Sequence, residues 1–397
     1  MKNMYRKVII AAIAVVSIAS IAEAKTLSIV AVTQQDTIKS RVKNNTHVVT
    51  SNKNGNKGNY IYINNGTHEE IKYNGDINLT EDFKDVKSIS ANGYLRYLKK
   101  GNGVNKKLEI QSDKNGKLTR KYYEGGKEVA YEPAGKKWLQ LEMPTIIAKT
   151  GIGLEAMVQD IYKKGGAKAV LAEADKIDGG SSKLKIVSYL MAQPNLSAPD
   201  TKLALQHAAV ASNSDYELGK LLKKVPAARL AKDDLAIAYL QAAQKISSDY
   251  EKGKVLSHFL ATPHLSKNTA AAAVKTVNSI SSDYEKSKII QKMANQESFL
   301  TDNYKLTFGA INSISSDYEK SKSISSILNK QKLSEAQYQA LFPVVSSISS
   351  DYEKSKVLRN MASRLPANAT ALREDYKKTA KTISSDYEYR KAIEALN

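Results

Sequence analysis

The chain contains no cysteine, so no disulfide supports its fold, no lipid can be attached through an N-terminal cysteine, and no thiol can act as a nucleophile. Histidine is scarce: His47, His68, His207, His258 and His264 are scattered along the chain. The run "HEEIK" at His68 lacks the second histidine of a zinc-protease helix, and strand-like alternation surrounds it. His258 and His264 stand six apart with Pro263 between them, a poor fit to one helical ligand face. Neither a Gly-x-Ser-x-Gly elbow nor a phosphate-binding glycine loop is present. These absences point away from an enzyme, from a metal and from any cofactor. Beyond the first two dozen residues, no segment is apolar for long enough to cross a bilayer.

What is there begins with "MKNMYRKVIIAAIAVVSIASIAEAK". Lys2, Arg6 and Lys7 form a basic head, an apolar run follows from Val8 to Ala22, and Ala22-Glu23-Ala24 supplies small residues at a cleavage site. Residues 1–24 are therefore expected to be a signal peptide cut after Ala24, which places the mature chain in the periplasm or outside the cell. The 60 basic and 40 acidic side chains fall to 57 and 39 when Lys2, Arg6, Lys7 and Glu23 are removed, a balance of about +18. Outside the cytoplasm this favours an acidic protein, an anionic envelope polymer or a lipid surface over nucleic acid. At 397 residues the chain is long enough for two domains and a core that needs no disulfide.

Residues 25–45 are polar and aperiodic and are read as a linker. From 46 to 132 the period is two: "NYIYIN", "EEIKY", "GYLRYL" and "KKLEIQ" alternate apolar and polar residues. Asn54-Gly55, Asn65-Gly66, Asn74-Gly75, Asn92-Gly93, Asn102-Gly103 and Asn115-Gly116 punctuate them, and Gly125-Gly126 follows. Such pairs suit hairpin turns, so an antiparallel β-meander is expected. Residues 133–176 change to helical spacing and connect to the rest. Trp138, just past the last strand, should anchor the first helix on the sheet.

Residues 177–397 repeat. Asp215, Asp249, Asp283, Asp317, Asp351 and Asp386 head copies of "SSDYE", separated by 34, 34, 34, 34 and 35 residues. A degenerate copy, "IDGGSSKLKIVSYL", has Gly180 at the aspartate position. A period in this range marks an α-solenoid of helical hairpins, HEAT- or TPR-like. The fold class expected is thus α+β in two domains, a β-meander followed by a solenoid. Each block reads as a helix start with a reciprocal capping box: Ser248 with Glu251, Ser282 with Glu285, Ser316 with Glu319 and Ser350 with Glu353. Apolar stripes such as Ile289, Ile290, Met293 and Ala294 supply the core, and Ile246, Ile280, Ile314, Ile348 and Ile383 mark the elbows. Gly253, Ser287, Ser321 and Ser355 keep one position small, which lets neighbouring helices approach.

Two columns remain after the caps and the core. Tyr250, Tyr284, Tyr318 and Tyr352 form one, and Lys254, Lys288, Lys322 and Lys356 the other, four residues on. The first expectation is that each tyrosine packs between adjacent repeats while the lysines are solvated. The alternative makes the two columns a partner-binding ladder on one face.

The stretches "NGDINLTEDFKDVKSISANGYLRY" and "WLQLEMPTIIAKTG" with the "ISSDYEK" array resemble a group of poorly characterised exported bacterial proteins. The same arrangement is similar to the extracytoplasmic tails of antirepressor-type metalloproteases and anti-sigma regulators. The chain departs from those regulators in having no His-Glu-x-x-His site and no set of membrane spans. The resemblance therefore implies an accessory or sensor part of an envelope regulatory system rather than a reaction. Two functions follow from the residues: a non-enzymatic scaffold offering its solenoid to a protein or peptide of the cell envelope, or a charge-driven binder of anionic polymer or lipid.

Overall fold

The computed structural model describes residues 56–64, 66–177, 179–366 and 368–396, together with the backbones of strands 28–32, 36–42 and 45–51. Residues 1–24, expected to be a signal peptide, lie outside the described residues. One compact unit takes in the chain up to Gly166 and Ala172–Asp178; the other consists of Ala167–Leu171 and Gly179–Asn397.

The first unit is built on antiparallel strands. They are β1 (Ser28–Val32), β2 (Asp36–Val42), β3 (Asn45–Ser51), β4 (Lys57–Asn64), β5 (Thr67–Asn74), β6 (Ile77–Leu79), β7 (Val86–Ile89), β8 (Tyr94–Gly101), β9 (Val104–Ser112), β10 (Leu118–Glu124) and β11 (Lys127–Val129). Nine form a sheet in the order β1-β2-β3-β4-β5-β8-β9-β10-β11, while β6 and β7 pair separately. β1 and β2 fall within residues 25–45, expected to be a linker. β2 pairs with β3 through registers such as Ile38↔Val49, so polar composition did not prevent main-chain pairing. Asn102-Gly103 and Gly125-Gly126 have positive φ at both positions and close β8–β9 and β10–β11, as a type I′ turn requires. Asn74-Gly75 and Asn92-Gly93 do not close hairpins; they flank the β6–β7 insertion. Glycine is needed there for close approach, since a Cβ on Gly93 would stand 2.6 Å from the Asn74 carbonyl oxygen.

Alternation along β5, β8, β9 and β10 turns Ile71, Tyr73, Leu95, Tyr97, Leu108, Ile110 and Tyr122 inward, where they are buried. The helix α1 (Lys136–Thr150) contributes buried Trp138, Leu139, Met143, Ile146 and Ile147. Trp138 stacks on Tyr97 with ring centres 5.1 Å apart and lies 5.7 Å from Tyr122, the anchor anticipated from its position. The next helix, α2 (Leu154–Asp175), is broken at Gly166, where φ is 68°.

In the second unit the helices alternate between two layers. One layer holds α3 (Gly180–Met191), α5 (Asp215–Leu222), α7 (Asp249–Phe259), α9 (Asp283–Met293), α11 (Asp317–Lys330), α13 (Asp351–Ala362) and α15 (Asp386–Glu394). The other holds α4 (Ala198–Ala211), α6 (Asp233–Gln244), α8 (Lys267–Asn278), α10 (Tyr304–Asn312), α12 (Glu335–Ser346) and α14 (Thr370–Ala380). Each helix packs on the next of its own layer, and the elbow isoleucines Ile246, Ile280, Ile314, Ile348 and Ile383 are buried between layers. The chain is thus α+β, an antiparallel sheet region followed by a helical-repeat array.

The repeated block holds one hairpin to the next. Ser248, Ser282, Ser316, Ser350 and Ser385 each accept the N–H three residues on, at 3.3–3.4 Å, and so cap α7, α9, α11, α13 and α15. The return bond expected from Glu251, Glu285, Glu319 and Glu353 is not made. The cap N–H is instead taken by the aspartate of the preceding repeat: Ser248 donates to Asp215, Ser282 to Asp249, Ser316 to Asp283 and Ser350 to Asp317, at 2.7–2.8 Å. A reciprocal box does occur at α12, between Ser334 and Gln337. The degenerate copy tests the logic. Gly180 has no carboxylate to offer, and the Ser214 N–H turns to the Ser212 hydroxyl at 3.2 Å.

The glutamates are buried against the small position of the repeat before. A Cβ on Gly253 would stand 2.8 Å from Glu285 Oε2, and Ser321 Oγ donates to Glu353 Oε2. The next letter is a buried lysine that reaches the C-terminus of a helix in the opposite layer. Lys252 donates to Ser279, Lys286 to Ser313, Lys320 to Ser347 and Lys354 to Thr382, at 2.9–3.1 Å for the hydroxyl contacts. An ammonium placed there also meets the negative end of the helix dipole. At the far end of the same layer, Gln296, Gln331 and Arg364 donate to the carbonyls of Leu260, Ala294 and Leu328, one repeat back.

Candidate interaction surface

Asp, Glu, the first Lys and the small residue of "DYEKSK" are therefore all spent on joining repeats. Tyr and the second Lys are not, except that Lys356 stands 5.9 Å from the Tyr318 ring of the repeat before. Tyr250, Tyr284, Tyr318 and Tyr352 are 54–56 % exposed, so they do not pack between repeats as first expected. The reason is angular. At 100° per residue, Glu, Lys and the small residue fill the side facing the neighbouring repeats, and the tyrosine just before them is turned outward. Tyr216 and Tyr387, at 60 % and 62 %, extend the column by one rung at each end.

The lysines lie over these rings. Lys254 Nζ is 4.0 Å from the Tyr250 ring centre, Lys288 5.8 Å from Tyr284, Lys322 5.6 Å from Tyr318 and Lys391 4.0 Å from Tyr387. Lys356 stands between two rungs, 6.0 Å from Tyr352 and 5.9 Å from Tyr318. Each lysine also pairs with the glutamate three residues earlier, from 3.3 Å at Glu251–Lys254 to 3.8 Å at Glu319–Lys322. Tyr250 and then Glu251 hold the Lys254 ammonium above its ordinary pKa, and Tyr387 and Glu388 do the same for Lys391, so both stay charged. The face is an alternation of phenol rings and ammonium groups. It can stack on flat or ring-shaped groups and pair with anions.

A second cluster lies in the sheet unit and was not singled out from the sequence. Tyr97 Oη stands 3.0 Å from Glu69 Oε1 and 2.8 Å from Glu142 Oε2. Lys149 pairs with Glu69, and Lys99 Nζ pairs with Glu142 at 2.8 Å. Burial, helped by the two carboxylates, pushes the Tyr97 phenol far above its usual range, so it stays protonated and donates. Two carboxylates and two ammoniums balance within the cluster, which ties α1 to the sheet. The signal was available: period two from Ile71 and Tyr73 places Glu69 on the inward face. His258, among the histidines, is engaged with the Val225 carbonyl at 2.7 Å. Among the described residues no group of three or more His, Cys, Asp or Glu could hold a metal ion, and no helix is long and apolar enough to cross a membrane.

No protein-family model and no curated protein matches the chain. Among solved structures, one described as "Computational Design of Self-Assembling Cyclic Protein Homooligomers" is similar over 64 % of this chain and 91 % of its own, at 15 % identity and a TM-score of 0.15. A likeness that slight carries no argument about fold or function.

Proposed function

We propose that the protein is an exported, non-enzymatic interaction scaffold that presents one face of its helical array to a protein or peptide partner in the cell envelope. One observation carries this reading. The tyrosine and the second lysine of the block recur with their side chains largely exposed, and apart from Lys356, which also reaches the Tyr318 ring, they make no hydrogen bond, ion pair or ring contact with a neighbouring repeat, so their recurrence calls for something outside the chain. Stacked hairpins suit such a role because they offer many similar contact points along one direction. The test is capture from an envelope fraction by the wild-type chain and by a variant with Lys254, Lys288, Lys322 and Lys356 all changed to Gln. Recovery of a discrete protein by the wild type and its loss with the variant, shown to remain folded by circular dichroism, supports the reading. Equal recovery by both places the binding surface elsewhere.

The charge-driven alternative, anionic polymer or lipid, is favoured only by net charge. Binding of that kind weakens steeply as salt rises, whereas an interface with packed rings changes little.

A further inference from the structure

The spacing of the rungs bears on the ligand's conformation. Packed helices generally lie about 8–10 Å apart, which is the interval expected between equivalent rungs, and Lys356 spans two adjacent rings at 5.9 and 6.0 Å. A polyproline II chain rises about 3.1 Å per residue with three residues per turn, and so presents the same side every ~9.3 Å. A β-strand presents the same side every second residue, about 6.7 Å, and falls out of step within two rungs. The chemistry of the rungs narrows the ligand further. Exposed phenol rings are the groups that dock proline rings in grooves reading polyproline II segments. The ammonium at each rung sits on an array, residues 179–397, with 31 basic and 21 acidic side chains, a balance of about +10. Its present partner is a glutamate of its own helix at 3.3–3.8 Å, with the lysine side chains 39–44 % exposed. The glutamate of each pair is only 11 % exposed, so the ammonium is held on its inner side while its solvent-facing side is open to a second carboxylate. Lys356, placed between the Tyr318 and Tyr352 rings, shows that one cation can serve two rungs.

Resting on the scaffold reading above, we propose that the ladder binds an acidic, proline-rich peptide segment in the polyproline II conformation, with one acidic side chain every third residue. The prolines stack on Tyr250, Tyr284, Tyr318 and Tyr352, and the carboxylates meet Lys254, Lys288, Lys322 and Lys356. A ligand already in this conformation loses little entropy on binding, which a row of shallow contacts requires.

The test is a fluorescence-anisotropy titration of the full chain with labelled peptides long enough to span the ladder. The probe is a series of Glu-Pro-Pro triplets. The controls are Glu-Gly-Gly triplets of equal charge, Glu-Pro-Pro-Pro quartets of wrong period, and polygalacturonate as a polyanion that is not a peptide. The triplet peptide is expected to bind at least about 10-fold tighter than each control. Changing the four tyrosines to Ala, or separately the four lysines to Gln, is expected to remove about 10-fold or more while circular dichroism still shows a folded helical chain. Equal affinity for the Glu-Gly-Gly peptide, tighter binding of polygalacturonate, or indifference to both variant sets overturns the proposal. A partner captured from the envelope that the triplet peptide fails to displace also overturns it, yet leaves the scaffold reading standing.

Discussion

At the scale of single residues, one motif carries two kinds of letter. Asp283 receives the Ser316 and Ser315 N–H groups of the next repeat at 2.8 and 3.1 Å. Among the described residues the Asp386 carboxylate receives no such bond. Asp283→Ala should therefore cost about 2 kcal/mol, the scale of hydrogen bonds to a charged acceptor. Asp386→Ala should cost only about 0.5 kcal/mol through the helix dipole. Comparing the two denaturant midpoints checks this, and equal losses would mean that the aspartates act only within their own helices. Gly253→Ser should stabilise by about 0.5–1 kcal/mol, because serine costs less than glycine inside a helix and its hydroxyl can face Glu285 as Ser321 faces Glu353. Burial pulls the Lys252 and Lys354 ammonium groups below 10.5, against the opposing pull of nearby aspartates. For a base depressed in the folded state, the cost is fully present at neutral pH. It is relieved as pH rises through the folded pKa toward 10.5. An NMR titration of the two Nζ groups should find their midpoints below 10.5, and midpoints at or above it would contradict the burial of these side chains.

At the scale of elements, much was legible because the signals were local. The 34-residue period, the serine caps and the elbow isoleucines depend on neighbours in sequence, and Trp138 found the sheet it was placed beside. The misreadings share a cause: the deciding contact was distant in sequence. Ser282 and Glu285 look like a closed box until Asp249, thirty-three residues earlier, takes the serine N–H. Lys286 has no partner in its own stretch of sequence, and its bond is to Ser313 of the opposite layer, twenty-seven residues on. Glu69 reads as one more strand residue until Lys149, eighty residues on, arrives with α1. Asn92-Gly93 has the composition of a turn, yet its glycine serves the approach of the Asn74 carbonyl.

At the scale of the molecule, the repeat array is a chain of nearest-neighbour joints. From Asp215 to Asp351 each joint uses the same aspartate-to-serine contact, whereas the first lacks it, so stability should be distributed by position along the stack. The last copy reads "DYEYRK", with Arg390 at the small position. A further hairpin stacked in the same way would meet a guanidinium where its glutamate has to fit. Hydrogen exchange should find α9 and α11, held on both sides by aspartate joints, the slowest to open, with α5, whose Ser214 N–H meets no aspartate, faster. Uniform protection throughout would indicate a single cooperative block instead.

The central claim is the division of the repeated letters into those that join repeats and those that face outward. It is tested most directly by melting two four-fold variants beside the wild type in denaturant. One changes Asp249, Asp283, Asp317 and Asp351 to Ala; the other changes Tyr250, Tyr284, Tyr318 and Tyr352 to Ala. The account predicts a loss of more than about 4 kcal/mol for the aspartate set and a change within about 1 kcal/mol for the tyrosine set. A tyrosine set that melts as early as the aspartate set would contradict it, because the tyrosines would then be part of the joint.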